Sequence, residues 1–231
     1  MTFRTADVDI ATLRPQTFGR QHVRSIKDPV IEPLWGGERV LVVVARNGAT
    51  PEYTDLDGES LEGPALDLIA TDLVASLRAD SIVLDGYLTR QPNTPSPMSP
   101  SLGLTMPSAQ QMAGQMLFGR RSATAPKAPA AAEPALVDPD AAVAFVAVDL
   151  LAIDDQGLLD IPLLERKRIL DSAFEESRLL RIGAYVRPPV DAWLVGWRAI
   201  GFHELAYKAA NSRYTPGQPN PGWARIRIPL D

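Results

Sequence analysis

Basic side chains near the end of the chain are the first candidates for chemistry. Residues 198–227 contain five basic residues and one acidic residue. The basic residues are Arg198, Lys208, Arg213, Arg225 and Arg227. A local excess of lysine and arginine can bind phosphate, either in a nucleotide or along a nucleic-acid backbone. Such a charge pattern is equally typical of an ordinary solvated surface, and both interpretations remain open at this point.

The composition excludes several other kinds of site. The chain has 231 residues, a net charge of −5 and no cysteine, which excludes disulfides and thiolate metal sites. Two histidines, His22 and His203, are too few for a zinc site built from histidine alone. No apolar run approaches the roughly 18 residues that a membrane span needs. Because residues 1–9 also lack the apolar core of a secretory signal, we expect a cytoplasmic protein.

Hydrophobic patterning predicts the elements that position the basic residues. Apolar residues at helical spacing predict an amphipathic helix over residues 64–79. A second helix is predicted to begin at Pro162 and to run to about Leu180, because proline favours the first turn. Asn47-Gly48 predicts a hairpin turn after a buried strand. Strands are predicted at residues 39–45, 81–84 (closed by Asp85-Gly86), 144–153, 201–208 and 223–229. These elements indicate an α+β fold with antiparallel sheets.

The middle of the chain has a different composition. Residues 91–107 are rich in proline and serine, and a short helix is predicted near residues 108–118. Residues 122–140 form a proline- and alanine-rich tract that can bury little apolar surface, so we expect a mobile surface loop there. Strand-like sequence resumes at residue 144. We therefore interpret residues 1–231 as one domain with an insertion.

Residues 32–39 read Glu-Pro-Leu-Trp-Gly-Gly-Glu-Arg. They resemble the Glu-Pro-Lys-x-Asp-Gly-x-Arg motif of the adenylation domain of ATP-dependent DNA ligases. In that family the lysine attacks the α-phosphate of ATP and carries AMP. Here its position is Leu34, which has no lone pair, and the motif aspartate is Gly36. The resemblance implies that Glu32 helps to position adenine and that Arg39 contacts the nucleotide; alternatively, Arg39 is a charged residue at a strand start.

Two further segments extend the resemblance and also depart from the family at reactive positions. Residues 83–87 resemble its Leu-Asp-Gly-Glu segment, but the glutamate is Tyr87, and a neutral phenol is a poor ligand for a hard divalent cation. Residues 145–170 resemble its Phe-Asp-Leu-Leu strand and the helix that follows. In the family an aromatic residue stacks on adenine here, whereas this chain has Val148.

The last two segments bring the resemblance to residues 30–229. Residues 201–208 resemble the Gly-x-Glu-Gly-Val-Val-x-Lys segment, with His203 in place of the metal-associated glutamate and Lys208 at the final lysine. A lone histidine such as His203 is more often structural than a ligand. At the end of the chain Arg225 and Arg227 stand where the family has catalytic lysines. Arginine keeps the positive charge, although it does not replace lysine at a tight site.

The resemblance implies the fold of this adenylation domain without its chemistry. We expect a catalytically inactive, noncatalytic nucleotide- or DNA-binding or scaffold component, associated with DNA repair by resemblance. Glu32, Arg39, Lys208, Arg225 and Arg227 are the expected phosphate cleft. ATP or AMP is the expected ligand class, no Mg²⁺ is expected, and DNA or repair proteins are the expected partners. The oligonucleotide-binding-fold domain that follows in the family is expected to be absent.

Two alternatives remain open from the sequence. The first is residual ATP-dependent nucleotidyltransferase activity, with an unusual nucleophile or with a partner chain that completes the site. Lys208 is then the candidate nucleophile, since it alone among the four lysines is expected to face the pocket. The second is a protein-interaction module that uses the tract at residues 122–140 or an apolar face and binds neither nucleotide nor DNA.

Overall fold

A computed structural model describes residues 12–90 and 143–229. The predictions for residues 91–107, 108–118 and 122–140 lie outside these described residues. The fold is α+β, with antiparallel sheets flanked by helices, as the sequence predicts. Within the described residues, no helix has both the length and the apolar character to cross a membrane.

The elements are numbered here in chain order. The helices are α1 (Pro64–Ser76), α2 (Leu163–Leu170) and α3 (Asp191–Ala199), with a 3-10 turn at Val23–Ser25. The strands are β1 (Thr17–Phe18), β2 (Pro29–Pro33), β3 (Glu38–Ala45), β4 (Glu52–Thr54), β5 (Ser60–Leu61), β6 (Ser81–Thr89), β7 (Ala144–Ile153), β8 (Gln156–Gly157), β9 (Leu180–Ile182), β10 (Glu204–Ala209), β11 (Pro219–Asn220) and β12 (Trp223–Arg227).

The large sheet runs in the order β5-β4-β3-β6-β7-β8, with β9 pairing parallel to β7. Its central strands β3, β6 and β7 are almost entirely buried, which explains their long β-branched and apolar runs. On one face they form the main core with the apolar side of α1. The opposite face forms a second apolar cluster around Trp223 and Tyr214. The predicted helix at residues 64–79 and the predicted hairpin at Asn47-Gly48 are both present.

The small sheet has the order β12-β10-β2, and both of its pairings are antiparallel. One face packs on α3 through Ile31, Leu205 and Trp197. The pairing of β10 with β12 confirms the predicted strand pair at the end of the chain. The other face of this sheet is turned toward the large sheet, and the candidate site forms between them.

Two element predictions were wrong. The helix that begins after Pro162 ends at Leu170, not near Leu180, because the following residues bond to the end of α1. The Arg78 N–H donates to the Ala173 carbonyl, and the Glu175 N–H donates to the Ser76 carbonyl. Asp85-Gly86 does not close its strand, since β6 continues to Thr89 with a bulge at this dipeptide. A Cβ at Gly86 would lie 2.4 Å from the Val146 carbonyl oxygen and 2.5 Å from the Phe145 ring.

Candidate functional site

A cleft of about 600 Å³ opens between the two sheets. We call it the arginine cleft. It is lined by Thr17, Phe18, Gly19, Arg20, Leu34, Trp35, Gly37, Arg39, Leu56, Tyr87 and Arg225. Residues at the end of β2, the start of β3 and the end of β6 thus meet one residue of β12. This convergence places Leu34 in the wall of the cleft.

Strand register places several predicted residues on one face of the small sheet. Ala206 on β10 lies opposite Glu32 on β2 and Arg225 on β12. Lys208 is two residues further along β10, so its side chain points to the same face. Arg227 shares that face at the other end, opposite Glu204. The sequence therefore brings acidic and basic residues together because their strands pair, although they are distant along the chain.

Arg39 is held by Asp85 beneath the arginine cleft. Its Nε lies 2.9 Å from Asp85 Oδ1, and its Nη2 lies 2.6 Å from Oδ2. Tyr214 donates its hydroxyl to the same Oδ2 at 2.7 Å. Burial lowers the pKa of the Arg39 guanidinium, but the Asp85 carboxylate raises it by more, so the net direction is up and the guanidinium stays charged. Asp85 therefore already balances the charge of Arg39 before any ligand binds.

Glu32 lies in a second buried group with two lysines. Its Oε1 is 2.8 Å from Lys167 Nζ, and its Oε2 is 3.0 Å from Lys208 Nζ. The Lys208 ammonium also sits 4.4 Å from the centre of the Trp223 ring. Burial would raise the pKa of Glu32, but the two lysines lower it overall. Burial lowers the pKa of Lys208, and Glu32 only partly opposes this.

Asp149 and Arg166 form a third pair, and both side chains are completely buried. The Arg166 Nε and Nη2 donate to the two Asp149 carboxylate oxygens at 2.8 and 2.7 Å. Burial would raise the pKa of Asp149, but Arg166 lowers it overall. Val148, in the preceding position, is 3% exposed. A Cβ at Gly183 would lie 3.2 Å from Val148 and 3.6 Å from Trp35 Nε1, so Val148 lies close behind the cleft wall.

The predicted site residues thus separate into three groups. Leu34, Arg39, Tyr87 and Arg225 line the arginine cleft, and the exposed Gly36 adjoins it. Glu32 and Lys208 are 3% exposed and bind each other below the surface. The remaining three lie outside the cleft lining: Arg227 and His203 are exposed, and Val148 is buried. Burial raises the pKa of Tyr87 to about 12, so its phenol is neutral at physiological pH.

Arg20 is a cleft residue that the motif comparison did not identify. It reaches the cleft because β1 pairs with β11 and because the Gly19 N–H donates to the Trp223 carbonyl at 3.0 Å. The signal in the sequence is an acid-free stretch, residues 18–27, with three basic residues. The charge of this stretch did not indicate that Arg20 lies near β12. The strands that bring it there, β1 and β11, have only two residues each.

The lining has the chemistry of an anion site. It contains three arginines, and none of the described residues in it is acidic or a lysine. Arg20 and Arg225 are exposed, and neither forms an ion pair within residues 12–90 and 143–229. Among the described residues, the lining does not fit a Mg²⁺ site. Both oxygens of the nearby Asp85 carboxylate are already bonded, whereas protein-bound Mg²⁺ usually keeps several waters and binds through one or two carboxylates together with substrate phosphates.

Comparison with solved structures identifies the fold. The chain superposes on the ligase domain of LigD from M. tuberculosis with a TM-score of 0.62 and 22% identity, over 95% of this chain and 61% of that one. A mycobacterial DNA ligase D complexed with ATP and MES gives a TM-score of 0.62 and 21% identity, over 95% and 62%. The chain therefore spans about three fifths of these structures. No protein-family model and no curated protein matches the sequence. The fold is that of the adenylation domain of ATP-dependent DNA ligases.

Proposed function

We propose that this protein is a ligase-like pseudoenzyme whose arginine cleft binds the phosphate groups of a nucleotide or of DNA without transferring AMP. The observation that carries the proposal is the lining of the cleft. Arg20 and Arg225 supply positive charge that is not paired with a described carboxylate, while Leu34 occupies the position of the nucleophilic lysine. A cleft with cations but neither nucleophile nor metal ligands can bind phosphate and cannot carry out this transfer.

The loss of chemistry involves more than one position. Restoring a nucleophile at Leu34 would leave Gly36 and Tyr87 where the family has carboxylates. The nearby carboxylates of Asp85 and Asp149 are held by arginines, so they cannot replace a metal ligand without breaking buried pairs. We infer that the cleft is inactive as a unit, because the nucleophile and the metal act together in this reaction.

Binding of phosphate is supported by the two exposed arginines. A guanidinium donates two parallel hydrogen bonds to phosphate oxygens, and Arg20 and Arg225 have no carboxylate to release first. Trp35 adds an aromatic surface to the same lining. A volume of about 600 Å³ lies within the usual range for small-molecule sites. A nucleoside phosphate therefore suits the cleft in charge and in size.

The wider role is inferred from fold alone. The ligase-like fold supports DNA as a partner, and we propose a noncatalytic role in DNA repair in the cytoplasm. We further propose that residues 1–231 form one domain and that residues 122–140 are an insertion in it. A scaffold of this kind would hold DNA or a nucleotide for a partner protein that supplies the chemistry.

Calorimetric titration with AMP, ATP and a duplex oligonucleotide, with and without Mg²⁺, tests the proposal. We expect binding that needs no Mg²⁺ and weakens as salt increases, since arginine–phosphate contacts carry it. Arg20→Gln and Arg225→Gln should each weaken binding by about three- to tenfold. Arg24→Gln removes the same charge from an exposed residue outside the cleft, and it should leave binding almost unchanged. Absence of binding at millimolar ligand, or equal effects of all three variants, would contradict the proposal.

Residual adenylylation at Lys208 is the second candidate function. Its support is the lowered pKa of this buried amine, which is one way to activate a lysine. Against it, Lys208 is 3% exposed, bonds to Glu32 and does not line the cleft. Incubation with ATP and Mg²⁺ followed by peptide mapping separates the two candidate functions. An adenylate on Lys208 would show that the protein is an enzyme and would contradict the proposal of a pseudoenzyme.

A further inference from the structure

A second concave surface lies at the far edge of the large sheet, between the β4–β5 hairpin and the first half of α1. It encloses about 570 Å³ and shares no lining residue with the arginine cleft. We call it the acidic groove. Its lining is Ala49, Thr50, Pro51, Glu52, Tyr53, Ser60, Leu61, Glu62, Gly63, Leu66, Asp67 and Ala70. No residue of the predicted phosphate site lies in it.

The floor of the acidic groove is apolar and well packed. Tyr53, Leu66 and Ala70 are 4%, 9% and 7% exposed and belong to the main core. Leu61 is half-buried and packs against the same core from the edge strand. Apolar groups at the base of a concave surface favour a ligand that seats an apolar side chain there. The rigid attachment of the floor to the core means that the groove is preformed.

The rim carries only negative charge. Glu52, Glu62 and Asp67 are exposed, and none of them forms an ion pair with another described residue. The lining includes no basic residue among those described, and residues 47–77 hold seven acidic residues and no basic one. Among the described residues that line the groove, the rim thus has no counter-charge, and a partner with basic side chains would supply one.

The groove also lies beside an edge of the sheet. Strand β5 is the outermost strand and pairs only with β4 in the described part of the chain. Ser60 and Leu61 of β5 both line the groove. An edge strand can bind an extended peptide through its backbone, while pockets beside it receive alternate side chains. The groove thus combines an edge strand, an apolar floor and an acidic rim.

We propose that the acidic groove docks an extended basic segment of a partner protein, in which apolar and basic residues alternate. Apolar side chains of the segment would rest on Tyr53, Leu61 and Leu66, and its arginines or lysines would bind Glu52, Glu62 and Asp67. This surface carries no nucleotide chemistry, so the proposal does not depend on the function of the arginine cleft. It gives the chain a protein-binding surface whose lining residues are distinct from those of the cleft.

The test uses the full chain and a short fluorescein-labelled peptide of alternating arginine and leucine, with binding measured by fluorescence anisotropy. Two control peptides replace either every arginine with glutamate or every leucine with serine. The protein variant Glu62→Lys/Asp67→Lys reverses the charge of the rim. Its matched control, Asp155→Lys/Glu165→Lys, makes the same change of charge at exposed residues outside the groove.

We expect the rim variant to weaken binding by about tenfold or more, and the matched control to weaken it by less than about threefold. The glutamate peptide should not bind, and the serine peptide should bind about tenfold more weakly because it lacks apolar contacts. If the rim variant has a lower melting temperature than the unmodified protein, Glu62→Gln/Asp67→Asn gives the same comparison with a smaller change of charge. Absence of binding, equal loss in both double variants, or full affinity of the serine peptide would each overturn the proposal.

Discussion

The buried ion pairs and the arginine cleft lie next to each other, yet they differ in almost every property. The buried ion pairs, Arg39–Asp85, Glu32–Lys208, Glu32–Lys167 and Asp149–Arg166, have bonded and nearly inaccessible charges. In the cleft, Arg20 and Arg225 are exposed and form no ion pair with another described residue. Arg39 belongs to both regions, since it lines the cleft and is bonded to Asp85. Glu32 and Lys208, which match the ligase motifs, lie in the first region, whereas Leu34 and Tyr87, which differ from the motifs, line the cleft.

This difference shows that a residue that matches a ligase motif can be held in a buried ion pair outside the cleft lining. Glu32 and Lys208 match the ligase motifs, but here they bind each other between the sheets. Removal of one partner of such a pair leaves a buried charge and costs several kcal/mol, about 3–5. The following predictions separate the two regions by the size of their effects.

Asp149→Ala should give the largest loss of stability among these variants. It leaves the Arg166 guanidinium buried without a carboxylate, so we expect the free energy of unfolding to fall by about 3–5 kcal/mol. Glu175→Ala is the matched control, because it breaks an exposed pair with Arg78 and should cost less than about 1 kcal/mol. Chemical denaturation measures both. Similar losses for the two variants would remove the distinction between buried and exposed charge.

Gly86→Ala tests packing beside Asp85. The new Cβ would clash with the Val146 carbonyl and the Phe145 ring, so we expect a loss of about 1–3 kcal/mol. Gly196→Ala on α3 is its control, since a Cβ there meets nothing within 4 Å. That variant should stabilise the protein by up to about 1 kcal/mol through helix propensity. A neutral Gly86→Ala variant in thermal melts would show that β6 and β7 are not packed this closely.

Acid should destabilise the buried region through Glu32 and Asp149. Both carboxyls have a folded-state pKa below the usual values of 4.5 and 3.8, because lysine and arginine partners outweigh burial. Their contribution is present above those values and is lost as the pH falls through the folded-state pKa. The free energy of unfolding should therefore decrease on acidification, and Glu32→Gln should reduce the slope. Denaturation curves at stepwise lower pH check this, and an unchanged slope for Glu32→Gln would contradict it.

Leu34→Lys should have the smallest effect of these variants, and its effect should be confined to ligand binding in the arginine cleft. One added cation should tighten binding of AMP by about two- to fivefold, without producing a covalent adenylate. Leu56→Lys adds the same charge at an exposed residue of the same lining. Calorimetry should give similar affinities for the two variants. Formation of an adenylate by Leu34→Lys alone would show that only the nucleophile had been lost.

The sequence predicted much of the fold because its signals are local. Each of these signals lies within one segment. They are the apolar runs of β3 and β7 and the helical spacing of apolar residues in α1. The end of α2 was mispredicted because it depends on hydrogen bonds from residues 173 and 175 to α1. Asp85-Gly86 looked like a turn because the approach of Phe145 is not visible locally. Arg20 was missed for a related reason, since the pairing of β1 with β11 brings it to the cleft. The pairing of Lys167 with Glu32 was missed because helix α2 and strand β2 meet only in the folded chain.

The central proposal is that this protein, which has the adenylation-domain fold, binds phosphate groups but does not form a covalent bond to AMP. The most direct test is intact-mass spectrometry of the purified protein after incubation with ATP and Mg²⁺, beside an active ATP-dependent DNA ligase as positive control. The account predicts an unmodified mass for this protein and an AMP adduct on the control. An AMP adduct on this protein would contradict the account and would identify it as a nucleotidyltransferase with a nucleophile other than a lysine at position 34.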